Sequence, residues 1–289
     1  PHTLFPYTTL FRSKNIANLF IPKTVDACFS HDGGGPVPGI KDENHDWNTE
    51  GHRQRIVTVD DEALALFATL YDEEGTPPRQ ARLSAVHSQQ ILEVLHRFAK
   101  QPRTLADLSD EYFSLEMWHE TNAQEDGTIE RDTKFIDDVR DWVLSGPHFF
   151  VSNPLHQTPQ RNCNTHRAYD QLDLTELSED YLPRTNYVPA CPRVEYRRRT
   201  PNVPWTNSKG EEEPVTEFYR HGNRRGTNPS SNRTLIPFIV PKRVSHIDGV
   251  FSVAFKDRNK MLLFNALCAG VPFDFFIKTT GKGDLRDEL

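Results

Sequence analysis

Thr234-Leu235-Ile236-Pro237-Phe238-Ile239-Val240, followed by Gly249-Val250-Phe251-Ser252-Val253-Ala254-Phe255, carries the strongest strand signal in the chain. Phe251, Val253 and Phe255 alternate with smaller residues, the two-residue period that sets one face of a strand on a core. The two runs are predicted to pair with each other. Residues 259–270, rich in Met, Leu, Phe and Ala, are predicted to form a helix packed on that pair.

Working outward, short apolar runs divided by proline begin at Trp142, as in His148-Phe149-Phe150-Val151 and Tyr187-Val188-Pro189, and predict strands and ordered loops. Before them the period becomes helical. Asp60 is placed to cap a helix bearing Leu64, Phe67, Leu70 and Tyr71, which Gly75-Thr76-Pro77-Pro78 ends. Ser88 is placed to cap a second, with Ile91, Leu92, Leu95, Phe98 and Ala99 on its apolar face and Pro102 beyond it. Residues 14–58, punctuated by Gly33-Gly34-Gly35-Pro36, predict loops that order poorly without a packing partner. The fold class expected is α+β: an acidic, largely helical connecting region over 14–146, then a basic mixed strand and helix domain over 147–289, cut short at its C-terminal end.

The 289 residues carry a net charge of −7, and its distribution is uneven. Residues 14–146 hold thirteen Lys and Arg against twenty-five Asp and Glu, whereas residues 184–258 hold fourteen against seven. A basic stretch in an acidic chain points to a polyanion met at one place. No apolar run approaches the ~18 residues of a membrane helix. Cys28, Cys163, Cys191 and Cys268 form no C-x-x-C pair, so neither structural zinc nor a disulfide framework is expected, and a reducing cytoplasm suits the chain. At the N-terminus, Thr3-Leu4-Phe5-Pro6-Tyr7-Thr8-Thr9-Leu10-Phe11-Arg12-Ser13 is what a sequencing adapter encodes in triplets. Residues 1–13 are therefore expected to be foreign to the fold and the gene to be truncated upstream. Arg286-Asp287-Glu288-Leu289 looks like an ER-retention tail, but chance explains it better without a signal peptide.

Motifs for chemistry are missing. The glycine-rich turn that holds a methyl donor and the [Asn/Asp/Ser]-Pro-Pro-[Tyr/Phe/Trp] tetrapeptide that holds a flipped adenine are both absent; Ser152-Asn153-Pro154-Leu155 lacks the second proline and the aromatic and reads as a turn. His119-Glu120-Thr121-Asn122-Ala123 has no second histidine four positions on. Asp126, Asp132 and Lys134 have the residue types of a metal-dependent nuclease, with a solvated hairpin loop as the plainer reading. No catalytic, cofactor-binding or metal-binding residue is assigned.

A nucleic-acid constellation remains: Arg184, Asn186, Tyr187, Arg197, Arg198, Arg199, Arg220, Arg224, Arg225, Asn232, Arg233 and Thr234. Arg can bind guanine O6 and N7, Asn adenine N6 and N7, and Thr a thymine methyl, while other arginines hold phosphates. Arg197–Arg199 are expected in the phosphate class; Asn186, Arg233 and Thr234 are expected to read bases.

Three blocks carry a resemblance: Ser145-Gly146-Pro147-His148-Phe149-Phe150-Val151, then Asp180-Tyr181-Leu182-Pro183-Arg184-Thr185-Asn186-Tyr187-Val188-Pro189-Ala190-Cys191, and Asn232-Arg233-Thr234-Leu235-Ile236-Pro237. Together with Val250–Phe255, they resemble the region after the catalytic domain in large type IIG and phage-exclusion (PglX-like) adenine-N6 restriction-modification methyltransferases. The similarity runs from about Ile16 to the end. It implies a target-recognition region whose partners are double-stranded DNA, a methyltransferase domain missing from this chain and other proteins of a defence system. S-adenosylmethionine would belong to the parent protein, and no cofactor to this fragment. Two other readings stay open: a free-standing nucleic-acid or protein interaction module, and a nuclease fragment.

Overall fold

The computed structural model describes residues 11–228 and 231–286, which divide into two compact units: 11–103 with 279–281, and 104–278 with 282–286. The first unit contains β1 (Arg12–Asn15), α1 (Lys23–Ser30), β2 (Val57–Asp60), α2 (Asp61–Tyr71) and α3 (Gln89–Ala99). Both long helices start where their caps predict. The Asp60 carboxylate accepts from the Ala63 N–H at 3.0 Å and closes one open donor of α2. Ser88 stands at the α3 N-cap, although its side chain makes no capping bond. Leu64, Phe67, Tyr71, Leu92 and Leu95 are buried, while Leu70, Ile91, Phe98 and Ala99 of the expected apolar faces are half-buried.

Residues 14–58 are held by something other than an apolar core. Arg55 is fully buried, and its guanidinium donates to the carbonyls of Glu50, Ala17 and Asn18 at 2.5, 3.3 and 3.1 Å. One planar fork thus ties together loop segments about 38 residues apart, in place of the packing partner expected to be missing. Arg12 and Ser13, expected to be foreign to the fold, pair with Asp60 and Val59 between β1 and β2. Residues 3–10 of the adapter-like stretch and Asp287–Leu289 of the tail lie outside the described residues.

The second unit holds β3 (Tyr112–Leu115), α4 (Glu120–Glu125), β4 (Ile129–Phe135), β5 (Val143–Leu144), β6 (Gln157–Pro159), β7 (Tyr169–Gln171) and β8 (Arg184–Pro189). It continues through α5 (Arg193–Arg199), β9 (Asn202–Thr206), β10 (Glu212–Pro214), β11 (Arg220–Arg224), β12 (Pro237–Val240), β13 (Ser245–His246) and β14 (Val250–Phe255) to α6 (Arg258–Ala269) and α7 (Val271–Thr280). The fold is α+β. A four-stranded antiparallel sheet in the order β12-β11-β14-β3 forms its centre, with two-stranded pairs around it.

The two runs predicted to pair do not touch as neighbours. β11 lies between them, bonded to β12 on one edge and to β14 on the other. Arg220-His221-Gly222-Asn223-Arg224 contains no apolar residue and two that are depleted in strands, which is why propensity hides it. Pairing on both edges overrides that preference by satisfying the backbone. His221 faces α6, where its Nδ1 meets Asn265 Oδ1 at 2.9 Å beside Phe251, Val253, Phe255 and Met261. Arg220, Gly222 and Arg224 face the other side, towards the cluster of Trp142, Leu144, Phe149, Phe238 and Val240.

The boundary between units falls at Arg103/Thr104 rather than at 146/147, because β3 is the edge strand of the central sheet and β4 pairs with β8. The stretch 104–146 is consequently less helical than its composition suggested. A Cβ on Gly222 would sit 2.7 Å from both Phe238 Cε1 and Val240 Cγ2, closer than packed carbons approach. Gly222→Ala is therefore expected to lower the unfolding free energy of this unit by about 1–3 kcal/mol, read as a shift in urea midpoint. An unchanged midpoint would mean that β12 does not hold Phe238 against this strand.

Candidate nucleic-acid interface

β6 and β7 form a two-stranded antiparallel ribbon, and its tip, Gln160-Arg161-Asn162-Cys163-Asn164-Thr165-His166-Arg167, is exposed except for Cys163. At the foot of the ribbon lies an open cleft of about 660 Å³. Its walls come from Arg131 on β4, the Gly146 and Phe150 loop after β5, Tyr169 on β7, Asn186 and Tyr187 on β8, and Arg224 at the end of β11.

A directional hydrogen-bond chain ties the ribbon to the core. Asn186 Oδ1 accepts from Thr133 Oγ1 at 3.0 Å, while its Nδ2 donates to the Tyr169 hydroxyl at 2.7 Å and to Cys163 Sγ at 3.4 Å. Tyr169 contacts Ser145 Oγ at 2.9 Å, which contacts His148 Nδ1 at 3.1 Å, and His148 Nε2 lies 3.0 Å from the Arg184 carbonyl. Since that carbonyl can only accept, the proton belongs on Nε2, and Nδ1 is free to accept from the Ser145 N–H. Burial pushes the Tyr169 phenol up to about 12 and His148 down to about 4. Tyr187 donates to Glu120; burial, reinforced by that carboxylate, raises its pKa well above the ordinary phenol range.

The arginines separate into two groups by what they touch. Arg197 pairs with Glu217 at 2.8 Å, Arg198 and Arg199 pair with Glu195 at 2.8 and 2.7 Å, and Arg233 pairs with Asp274 at 3.6 Å. Arg225 meets Glu116, Asp248 and Asp284 at 3.1, 3.3 and 3.1 Å. By contrast, Arg131, Arg184 and Arg224 form no ion pair among the described residues. Each donates to a backbone carbonyl instead: Arg131 to Cys163 at 2.8 Å, Arg184 to Pro159 at 3.3 Å and Arg224 to Gly146 at 2.8 Å. A carbonyl orients the guanidinium without cancelling its charge. The Arg184 guanidinium also lies 4.3 Å over the exposed Phe135 ring.

Several expected contacts with DNA fall away on this geometry. Arg220 is fully buried beside the Val244 carbonyl and Ser252 Oγ, and burial lowers its pKa to about 9. Thr234 is buried, with its backbone N–H held by Asp274 at 2.7 Å. Asn186 uses its carbonyl oxygen and amide nitrogen to anchor the ribbon, and Tyr187 is buried save for its place in the cleft wall. Arg197–Arg199 remain exposed or half-exposed but are neutralised, and Asn232 is exposed. Asn186, Tyr187 and Arg224 line the cleft, with Arg184 at the start of the same strand β8; 197–199, 220, 225 and 232–234 do not line it.

The ribbon tip was missed, although a signal existed. Residues 142–169 contain no Asp or Glu, while Arg161, Asn164, His166 and Arg167 offer base- and phosphate-binding types. The tip lies N-terminal to the basic stretch 184–258. The nuclease candidates do not converge: Asp126 accepts from Thr128 N and Oγ1 at 2.9 and 2.6 Å, and Asp132 pairs with Lys134 at 2.6 Å. Among the described residues no group of three or more His, Cys, Asp or Glu could hold a metal ion. Gly33–Gly35 follows α1 and Gly281–Gly283 follows α7, so neither of these glycine runs joins a strand to a helix. No single helix among the described residues is long and apolar enough to cross a membrane. No family model, curated protein or solved structure matches the chain.

His148, His221 and His246 are fully buried, and burial pushes their pKa values down to about 4, 4 and 3. Each returns to about 6.5 on unfolding, so below that pH the unfolded chain binds protons that the folded chain does not. Stability is thus present above pH 6.5 and lost as the pH falls towards 4. Urea midpoints should change little between pH 7 and 8 and fall through this window, by up to roughly 3 kcal/mol per histidine. A flat midpoint from pH 7 to 4.5 would show that the folded protein accommodates the imidazolium forms.

Proposed function

We propose that this chain recognises the DNA site for a large S-adenosylmethionine-dependent adenine-N6 DNA methyltransferase of a restriction-modification or phage-defence system. The observation that carries the DNA-binding part is the acid-free ribbon tip at Gln160–Arg167, flanked by Arg131, Arg184 and Arg224, whose charges no carboxylate cancels. A two-stranded ribbon is one of the elements that the major groove of B-DNA admits. The link to adenine methylation comes from the sequence resemblance in the 145–151, 180–191 and 232–237 blocks. On this reading the chemistry and the cofactor belong to a methyltransferase domain upstream, other defence proteins are further partners, and the cytoplasm is the place of action.

Fluorescence anisotropy with a labelled duplex at two salt concentrations tests the assignment of charge. Arg161→Ala and Arg167→Ala should each weaken binding across sequences and lower the salt slope by about one. The Arg197→Ala, Arg198→Ala, Arg199→Ala triple variant should change the slope by less than either, because those cations already face Glu195 and Glu217. The reverse ranking would move the DNA to α5. In calorimetry the chain alone should show no saturable S-adenosylmethionine binding; micromolar binding would place the methyl-donor site within it.

A further inference from the structure

The cleft at the foot of the ribbon differs in shape from what a duplex requires. A ribbon reads DNA by entering a groove about 12 Å wide. A concave site is filled only by something that projects from the helix. At about 660 Å³ the cleft falls within the range of about 300–1,000 Å³ that encloses one small organic molecule.

Its lining has the chemistry of a nucleotide site. Phe150, 42% exposed, stands at the wall with its ring 5.3 Å from that of His156, so an aromatic pair presents ring surface to solvent. Gln157, Asn164 and His166 line the same space, and their side chains make no hydrogen bond to another described residue. Arg131 and Arg224 add two guanidinium groups without acid partners. Glu120, the one carboxylate in the lining, is occupied by the Tyr187 hydroxyl. Aromatic surface suits the face of a base, free amide and imidazole groups suit its edge, and uncompensated guanidinium suits its phosphate.

We propose that this cleft receives one unstacked nucleotide of the bound DNA, with the base against Phe150 and His156, its edge at Gln157, Asn164 and His166, and the phosphate at Arg131 and Arg224. The inference rests on the DNA-binding reading above and specifies the form in which the DNA enters. The ribbon would then hold the paired helix while the cleft holds a base drawn out of it.

Two labelled duplexes of one sequence test this, the first fully paired and the second carrying a single-nucleotide bulge of 2-aminopurine. Extruding a paired base costs a few kcal/mol that a bulged base does not. The bulged duplex should bind about tenfold more tightly, and its 2-aminopurine fluorescence should fall as the base stacks. Phe150→Ala with His156→Ala should abolish the preference while leaving affinity for the paired duplex within about threefold, which also shows that the variant folds. Arg197→Gln should keep the preference. Equal affinity for the two duplexes, or a preference that survives in the Phe150→Ala, His156→Ala variant, overturns the cleft assignment and leaves the DNA-binding reading standing. Absence of salt-dependent binding to either duplex overturns both.

Discussion

The second unit depends on the two-sided pairing of Arg220-His221-Gly222-Asn223-Arg224. Without it, β12 and β14 would not belong to one sheet. Burying such a strand calls for polar partners on both faces, and they are met in part: Arg220 Nε, His221 Nε2, Asn223 Oδ1 and Arg224 Nε are buried without a hydrogen-bond partner among the described residues. Asn265 on α6 meets His221 on one face, and Val244 and Ser252 meet Arg220 on the other. Gly222 is the small gap that lets Phe238 close over the strand, and Phe238 stacks on Phe149 with ring centroids 3.8 Å apart. The loop bearing Phe149 and Phe150 is therefore positioned from the sheet, so the cleft wall inherits its place from this buried polar strand.

The charge asymmetry along the chain is largely consumed inside the second unit. Acids from the 104–146 stretch pair with bases from the 184–258 stretch: Glu116 with Arg225, Asp126 with Arg199, and Asp138 and Asp141 with Arg193. Such pairs are partly exposed and individually modest, but together they determine where positive charge survives. What survives includes the guanidinium groups of Arg131, Arg184 and Arg224, bound to carbonyls, and those of Arg161 and Arg167 on the ribbon tip. The run Arg197–Arg199 thus faces carboxylates of its own unit, whereas the Gln160–Arg167 stretch contains no acid.

Asn186 shows how a residue suited to reading a base can serve a different purpose. Its amide links β8, the ribbon tyrosine and the Cys163 thiol, and through Ser145 the chain continues to a neutral buried histidine. Every member has a partner with a consistent donor direction, so the network fixes the ribbon root in one arrangement. The exposed polar tip is thus carried on a hydrogen-bonded base.

Local signals determined the capped helices at 61–71 and 89–99, the helix at 258–269, the strand character of 237–240 and 250–255, and the α+β class. These depend on periodicity and on residues within a few positions of each other. Tertiary structure alone decided that β11 separates the two apolar strands, that Arg55 gathers residues 14–58, that the unit boundary falls at 103/104, and which arginines keep their charge. Each of these is set by partners far along the chain: the neighbours on both edges of a strand, three distant carbonyls, or an acid about a hundred residues away. A strand of Arg, His, Gly and Asn is stable only because those partners exist, and the sequence around it carries no trace of them.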